Sequence, residues 1–207
     1  HPVSNKKYYI ISIESIVTSF ESTLSAVFKG TKVDVTEENI QARIRGTLLM
    51  GISNKFGYLL LNTTNKSEAA VGYGTLYGDM NGALAVLGDV YKTDVFELAQ
   101  FINRNKEIIP LNTISKPPSA ELRPDQKDTD SLPDYATLDA ILFRYIEQQS
   151  SISEIVAEGF DESLVRKVAY MVNTNEYKRF QFAPAIRVSS KAFGYGRRIP
   201  LVARFSR

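Results

Sequence analysis

An α/β fold built on a parallel sheet is what this sequence predicts, and three observations carry the prediction. Apolar, β-branched and aromatic runs recur at residues 8–13 and 58–61. Two amphipathic helical patterns lie between them. A helix-start signal at Asn65 then follows the second run almost at once. Alternating strands and helices favour a parallel sheet covered on both faces, with ligands outside the carboxyl ends of its strands.

Each element has its own local reason. Tyr8-Tyr9-Ile10-Ile11-Ser12-Ile13 reads as a short buried strand. Ile16, Phe20, Leu24 and Phe28 then recur at helical spacing, and Gly30 ends that helix. Asp34 with Glu37 forms a capping-box signal for a second helix running to about Lys55. Its apolar stripe is Ile40, Ile44, Leu48 and Ile52, with Asn39, Arg43 and Thr47 as a separate polar row. Gly57 stops it, and the strand over 58–61 begins.

Downstream, Val95, Leu98, Ala99 and Ile102 predict a helix over 93–103 with that face inward. Ile108-Ile109-Pro110 reads as a short strand closed by proline. Residues 115–135 are dense in proline and charge and predict a long surface loop of the kind used as a lid. Helices follow over 135–148 and 162–173, with a smaller amphipathic piece at 152–158. From Phe182 the chain is irregular and basic. There is no internal repeat and no linker that sets off a second domain.

Composition narrows the function classes. With 207 residues and no cysteine, the chain is long enough for a single core without disulfide or metal staples. It has no thiol chemistry, and its lack of thiols fits a reducing cytoplasm. The single histidine is His1, so a Ser-His or His-metal centre is not expected. A net charge of +2 and the lack of a long apolar run argue for neither nucleic acid nor membrane as partner. Between Lys178 and Arg207 there are cations but no Asp or Glu. That stretch is either a solvated basic tail or a phosphate-facing surface. The start at "HPVSNKKYYI", without a methionine, reads as a fragment of something longer.

The loop after residues 58–61 is the place to look for chemistry. Asn65 with Glu68 fits an N-cap paired with the carboxylate at the third helical position, which needs no ligand. The same geometry leaves N–H groups for a phosphate, with hydroxyls at Thr63 and Thr64 and a magnesium carboxylate at Glu68. Gly72 and Gly74 are followed by Tyr77, so the dinucleotide fingerprint fails, and no Walker-type phosphate loop occurs. Asp125, Asp128 and Asp130 are crowded enough to suggest a metal, or only a solvated acidic loop.

Taken together, "EENIQARIRGTLLMGISNK", "LLLNTTNKSEAAVGYGTLYGDMNG", "DVYKTDVFELA", "PPSAELRPDQKDTDSLPDY" and "EYKRFQ" resemble the synthetase domain of NAD synthetases. The likeness runs in order from about residue 8 to the end. Residues 63–68 and 76–80 look like the glutamine-dependent branch. The resemblance implies a Rossmann-like sheet of the adenine nucleotide alpha-hydrolase, or ATP-pyrophosphatase, type. It also implies ATP-dependent amidation of deamido-NAD through an adenylylated nicotinate, with ammonia from glutamine, ATP as co-substrate and Mg2+.

By matching position, the resemblance places Asn39, Arg43, Glu68 and Lys178 at the dinucleotide, Glu68 also at magnesium, and Thr63, Lys92 and Ser119 at ATP. Leu76 and Ala83 replace a lysine and an aspartate used by shorter relatives, so those two contacts do not transfer. The family's Ser-Gly-Gly-x-Asp-Ser pyrophosphate loop and its glutaminase domain are expected upstream and do not occur in residues 1–207. The chain is therefore expected to be the C-terminal part of a synthetase domain, truncated at its N-terminal end, and inactive alone. A non-catalytic dinucleotide-binding or dimerisation module is the alternative, and a homodimer or higher homo-oligomer is expected.

Overall fold

The computed structural model describes residues 8–123 and 125–203. Helix α1 (Glu14–Leu24) starts without a side-chain cap, buries no residue and packs against α2 (Val35–Phe56). Gly30 turns the chain between them at φ 85°. The Asp34–Glu37 capping box forms as the sequence predicts: Thr36 N–H donates to Asp34 at 2.7 Å and Asp34 N–H to Glu37 at 2.8 Å. On α2, Ile40 and Ile44 are buried, while Leu48 and Ile52 are only half-buried. Gly57, left-handed at φ 68°, closes the helix.

Strand β1 (Leu61–Asn62) pairs in parallel with β2 (Leu84–Ala85), and Ala85 bridges on to Ala185. The predicted parallel sheet is thus present but short, and β1 begins later than the apolar run 58–61. Residues 8–13 form no strand, and Tyr8 and Ile10 are about as exposed as side chains become. A strand is held by the ladder beside it, and no strand among the described residues lies beside this one. Residues 9, 11 and 13 instead face Leu48, Ile52 and Tyr58 across an open apolar groove of about 790 Å³.

After β1 come α3 (Lys66–Val71), α4 (Lys92–Ile102) and the short α5 (Leu111–Ser115). Two further expectations fail here. Leu98 and Ile102 are exposed, and α4 has no fully buried residue. Residues 108–110 form no strand; the Asn103 side chain takes the N–H groups of Ile108 and Ile109 and donates to the Ile109 carbonyl, closing a loop instead. The loop over 115–135 is present and contains one 3-10 turn at Asp128–Asp130.

The core sits in the C-terminal half. Helix α6 (Tyr135–Leu142) continues as π-helical turns over Phe143–Gln148, followed by α7 (Ile152–Ala157), α8 (Glu162–Thr174) and α9 (Glu176–Phe180). Leu138, Ile141, Leu142, Ile155, Val165 and Val168 are fully enclosed there. The small face of α3 (Ala70, Val71) packs in that cluster, so the loop leading into α3 is fixed from below. No helix among the described residues is long and apolar enough to cross a membrane.

Candidate functional site

The loop from β1 into α3 is set by two asparagines. Asn62, buried, donates to the carbonyls of Asp79 at 2.9 Å and Asn81 at 3.1 Å and accepts Thr64 N–H. It therefore binds the glycine-rich stretch 72–82 to the end of the strand. Asn65 caps α3: its side chain accepts Glu68 N–H at 2.9 Å, and Glu68 Oε2 accepts Asn65 N–H at 3.1 Å. The second carboxylate oxygen, Oε1, lies 3.5 Å from Lys92 Nζ. Burial pushes the Glu68 carboxyl above the usual carboxylate range despite Lys92 and the Asn65 N–H, and Asp128 pushes the same way.

Lys92 opens α4 and is held in place by aromatic faces as well as by Glu68. Its Nζ lies 5.4 Å from the Tyr135 ring centre and 5.7 Å from that of Phe96. Its N–H donates to Ser67 Oγ, which in turn donates to buried Asp139; Asp139 also accepts Thr93 N–H and Thr93 Oγ1 at 2.9 Å each. The start of α4 is thus pinned to α3 and α6.

A second group forms around Asn39 and Lys178. Both line a cavity of about 520 Å³, together with Tyr73, Thr75, Asp79 and Arg123. Thr75 Oγ1 donates to Asn39 Oδ1 at 2.6 Å. Lys178 Nζ donates to the carbonyls of Gly72 at 2.6 Å and Gly74 at 2.8 Å. Burial pulls the Lys178 ammonium below the usual lysine range, with Asp79 acting against it. Because Gly72 and Gly74 offer only backbone, the lysine reaches their carbonyls unobstructed and stays at the cavity wall.

The remaining candidates lie apart from these groups. Thr63 is exposed and lines an adjoining cavity of about 390 Å³, which shares Asp79, Ala120 and Leu122 with the first. Ser119 accepts Glu121 N–H at 3.0 Å and faces a third cavity formed by the 116–127 loop. Arg43 is exposed and donates to the Leu76 carbonyl at 3.2 Å, on the outer side of the glycine-rich stretch. So Asn39 joins Lys178, Glu68 joins Lys92, and Thr63, Ser119 and Arg43 each stand separately.

Sequence reasoning passed over several residues that organise this region. Tyr73 and Thr75 sit inside the glycine-rich stretch, where an aromatic and a hydroxyl among glycines were the available signal. Asp128 does not converge with Asp125 and Asp130 on a common point. It points inward to Tyr73 and Tyr135, whereas Asp130 accepts Lys127 N–H and pairs with Arg123. Among the described residues no group of three or more acidic or histidine side chains could hold a metal ion. A single carboxylate such as Glu68 still suits magnesium, which commonly takes one or two protein carboxylates with phosphate oxygens.

Comparison with known proteins identifies relatives over most of the chain. The family model described as NAD synthase matches residues 3–182. The glutamine-dependent NAD(+) synthetase of Acinetobacter baylyi is 60% identical over 93% of this chain and 36% of its own length. That of Thermotoga maritima is 52% identical over 95% of the chain and 34% of its own. Among solved structures, the ammonia-dependent NAD synthetase of Campylobacter jejuni, in complex with nitrate, aligns at TM-score 0.63 and 28% identity, covering 83% of this chain and 62% of that one. The Acinetobacter baumannii glutamine-dependent enzyme in complex with ADP aligns at TM-score 0.50 and 52% identity, covering 92% and 34%. The chain spans about a third of the length of the curated relatives it matches.

Proposed function

The chain belongs to the NAD synthase family, and on that premise we propose that it is part of the ligase domain of a glutamine-dependent NAD synthetase. In the reaction, the nicotinate carboxylate of deamido-NAD attacks the α-phosphorus of ATP and pyrophosphate leaves. Ammonia from glutamine then attacks the carboxyl carbon, AMP departs and nitrogen gives up a proton. The catalytic requirement is to bring two anions together and to shield their charge while they are aligned.

One observation carries the reading most strongly: Asn39 and Lys178, far apart in sequence, line one cavity whose wall includes Tyr73 and Thr75. In this reading the cavity takes the dinucleotide, with Lys178 supplying positive charge and Asn39 a hydrogen-bonding amide. Arg43 then acts at the outer rim. Lys92, Thr63 and Ser119 contact ATP. Glu68 contacts the dinucleotide and would hold Mg2+, which neutralises phosphate charge when bound. A homodimer, or a higher homo-oligomer, and a cytoplasmic location complete the proposal.

A second reading is a dinucleotide-binding or dimerisation module without turnover. Calorimetry separates the readings. Deamido-NAD binding that is lost in Lys178→Ala supports the proposed cavity, and no binding by the wild-type chain overturns it. NAD formed from deamido-NAD, ATP·Mg and ammonia would establish turnover; dinucleotide binding without ATP binding would favour the module. Light scattering reports self-association, and a strictly monomeric chain would refute the oligomer.

A further inference from the structure

Asp128 lies outside every role assigned so far, yet it is 4% exposed and carries a carboxylate. No lysine or arginine among the described residues forms an ion pair with it. Its partners are two phenols: Tyr73 Oη donates to Oδ1 at 3.1 Å and Tyr135 Oη donates to Oδ2 at 2.7 Å. Its backbone is fixed as well, with its N–H on the Pro118 carbonyl at 3.0 Å and its carbonyl accepting Leu132 N–H at 2.9 Å. Burial pushes both phenols well above the usual tyrosine range, so both remain neutral donors.

A buried carboxylate held only by neutral donors is a costly way to fill space, since an apolar side chain would pack without desolvating a charge. Its two oxygens, however, point to the two halves of the site. Tyr73 forms part of the wall of the Asn39–Lys178 cavity. Tyr135 lies under Lys92 Nζ, which in turn faces Glu68. One side chain therefore fixes an aromatic ring in each half.

We infer that Asp128 is a positioning residue that couples the two halves, setting Tyr73 against the dinucleotide cavity and Tyr135 beneath Lys92. The inference rests on the reading of that cavity and of Lys92 as substrate contacts. It requires that loosening either phenol disturb its own half, and that altering Asp128 disturb both. A purely structural role would instead loosen the fold without regard to which half is affected.

Two measurements on Asp128→Asn, Tyr73→Phe and Tyr135→Phe test this. The first is the acetylation rate of individual lysines, read by mass spectrometry without ligand. Lys92 is expected to react about threefold faster or more in Asp128→Asn and Tyr135→Phe, while fully buried Lys66 stays protected. An unchanged Lys92 rate, or equal rises at Lys92 and Lys66, overturns the inference. The second is deamido-NAD titration, in which Asp128→Asn and Tyr73→Phe are expected to weaken binding about fivefold, the scale of one hydrogen bond. Unaltered affinity in both overturns the coupling. If the wild type does not bind deamido-NAD, the proposed function fails, while the Lys92 rates still decide whether Asp128 positions that lysine. Should Asp128→Asn not fold, the two tyrosine variants carry both measurements.

Discussion

Lys66 and Asp89 meet at 2.8 Å with neither side chain exposed to solvent. Glu147 also contacts the ammonium, and Ser189 Oγ accepts from it at 2.7 Å. Asp89 in turn accepts the N–H groups of Val188 and Ser189 at 2.8 and 2.7 Å. This network joins α3, the approach to α4, the π-helical turns and the C-terminal segment. Lys66→Met leaves two buried carboxylates without a cation, and such breaks cost about 3–5 kcal/mol. Urea unfolding should show that loss, and limited proteolysis should open the segment around Ser189 first.

The same network sets an acid dependence. Burial alone would raise the Asp89 and Glu147 carboxyls, but Lys66 and the neighbouring serines outweigh it and hold both below their ordinary values of 3.8 and 4.5. Depressed carboxyls contribute stability above their unfolded values, and that contribution is lost as pH falls through the lower folded ones. In Lys66→Met the cation is gone and protonation relieves the burial. The stability gap between wild type and variant should therefore narrow below about pH 4, as thermal melts across pH 3–7 would read; a constant gap would contradict the pairing.

Gly72 ends α3 at φ 72°, and a Cβ there would lie 2.2 Å from the Asn175 side chain. Asn175 itself holds the Val71 and Met171 carbonyls. Gly72→Ala therefore meets backbone strain and a clash together, and a loss of roughly 2–4 kcal/mol is expected. Because the Gly72 carbonyl also receives Lys178, dinucleotide binding should fall with it. Calorimetry at a temperature where the variant remains folded checks this.

Glu68→Gln separates stability from binding. The glutamine can still complete the capping box, and it removes a carboxylate that burial disfavours. At pH 7 its thermal midpoint should equal or exceed that of the wild type. Binding of Mg2+ with nucleotide should weaken about tenfold or more, as loss of a charged ligand requires. A clear fall in the midpoint would show that the Lys92 pair outweighs the cost of burial.

The open groove between residues 9–13 and Tyr58 presents an apolar surface to solvent. Surfaces of this size bind hydrophobic dyes or each other. The wild type should brighten such a dye, and Ile11→Asp with Leu49→Asp should reduce the signal severalfold. Equal fluorescence would place the dye elsewhere.

The sequence by itself determined the features whose physics is local. Asp34–Glu37, Gly57 and Asn65–Glu68 act within a few residues, so their caps were readable from residue type and spacing. The resemblance quoted from its motifs reached the family as well. Only the tertiary structure decided what depends on distant partners. Residues 8–13 have the composition of a strand but no neighbouring ladder among the described residues, and Leu98 and Ile102 have the spacing of a buried face yet stay exposed. Asn39 comes to Lys178, and Asp128 to Tyr73 and Tyr135, through the packing of separate elements. Propensity fixes what a segment can form alone, whereas burial and pairing depend on what the rest of the fold brings beside it.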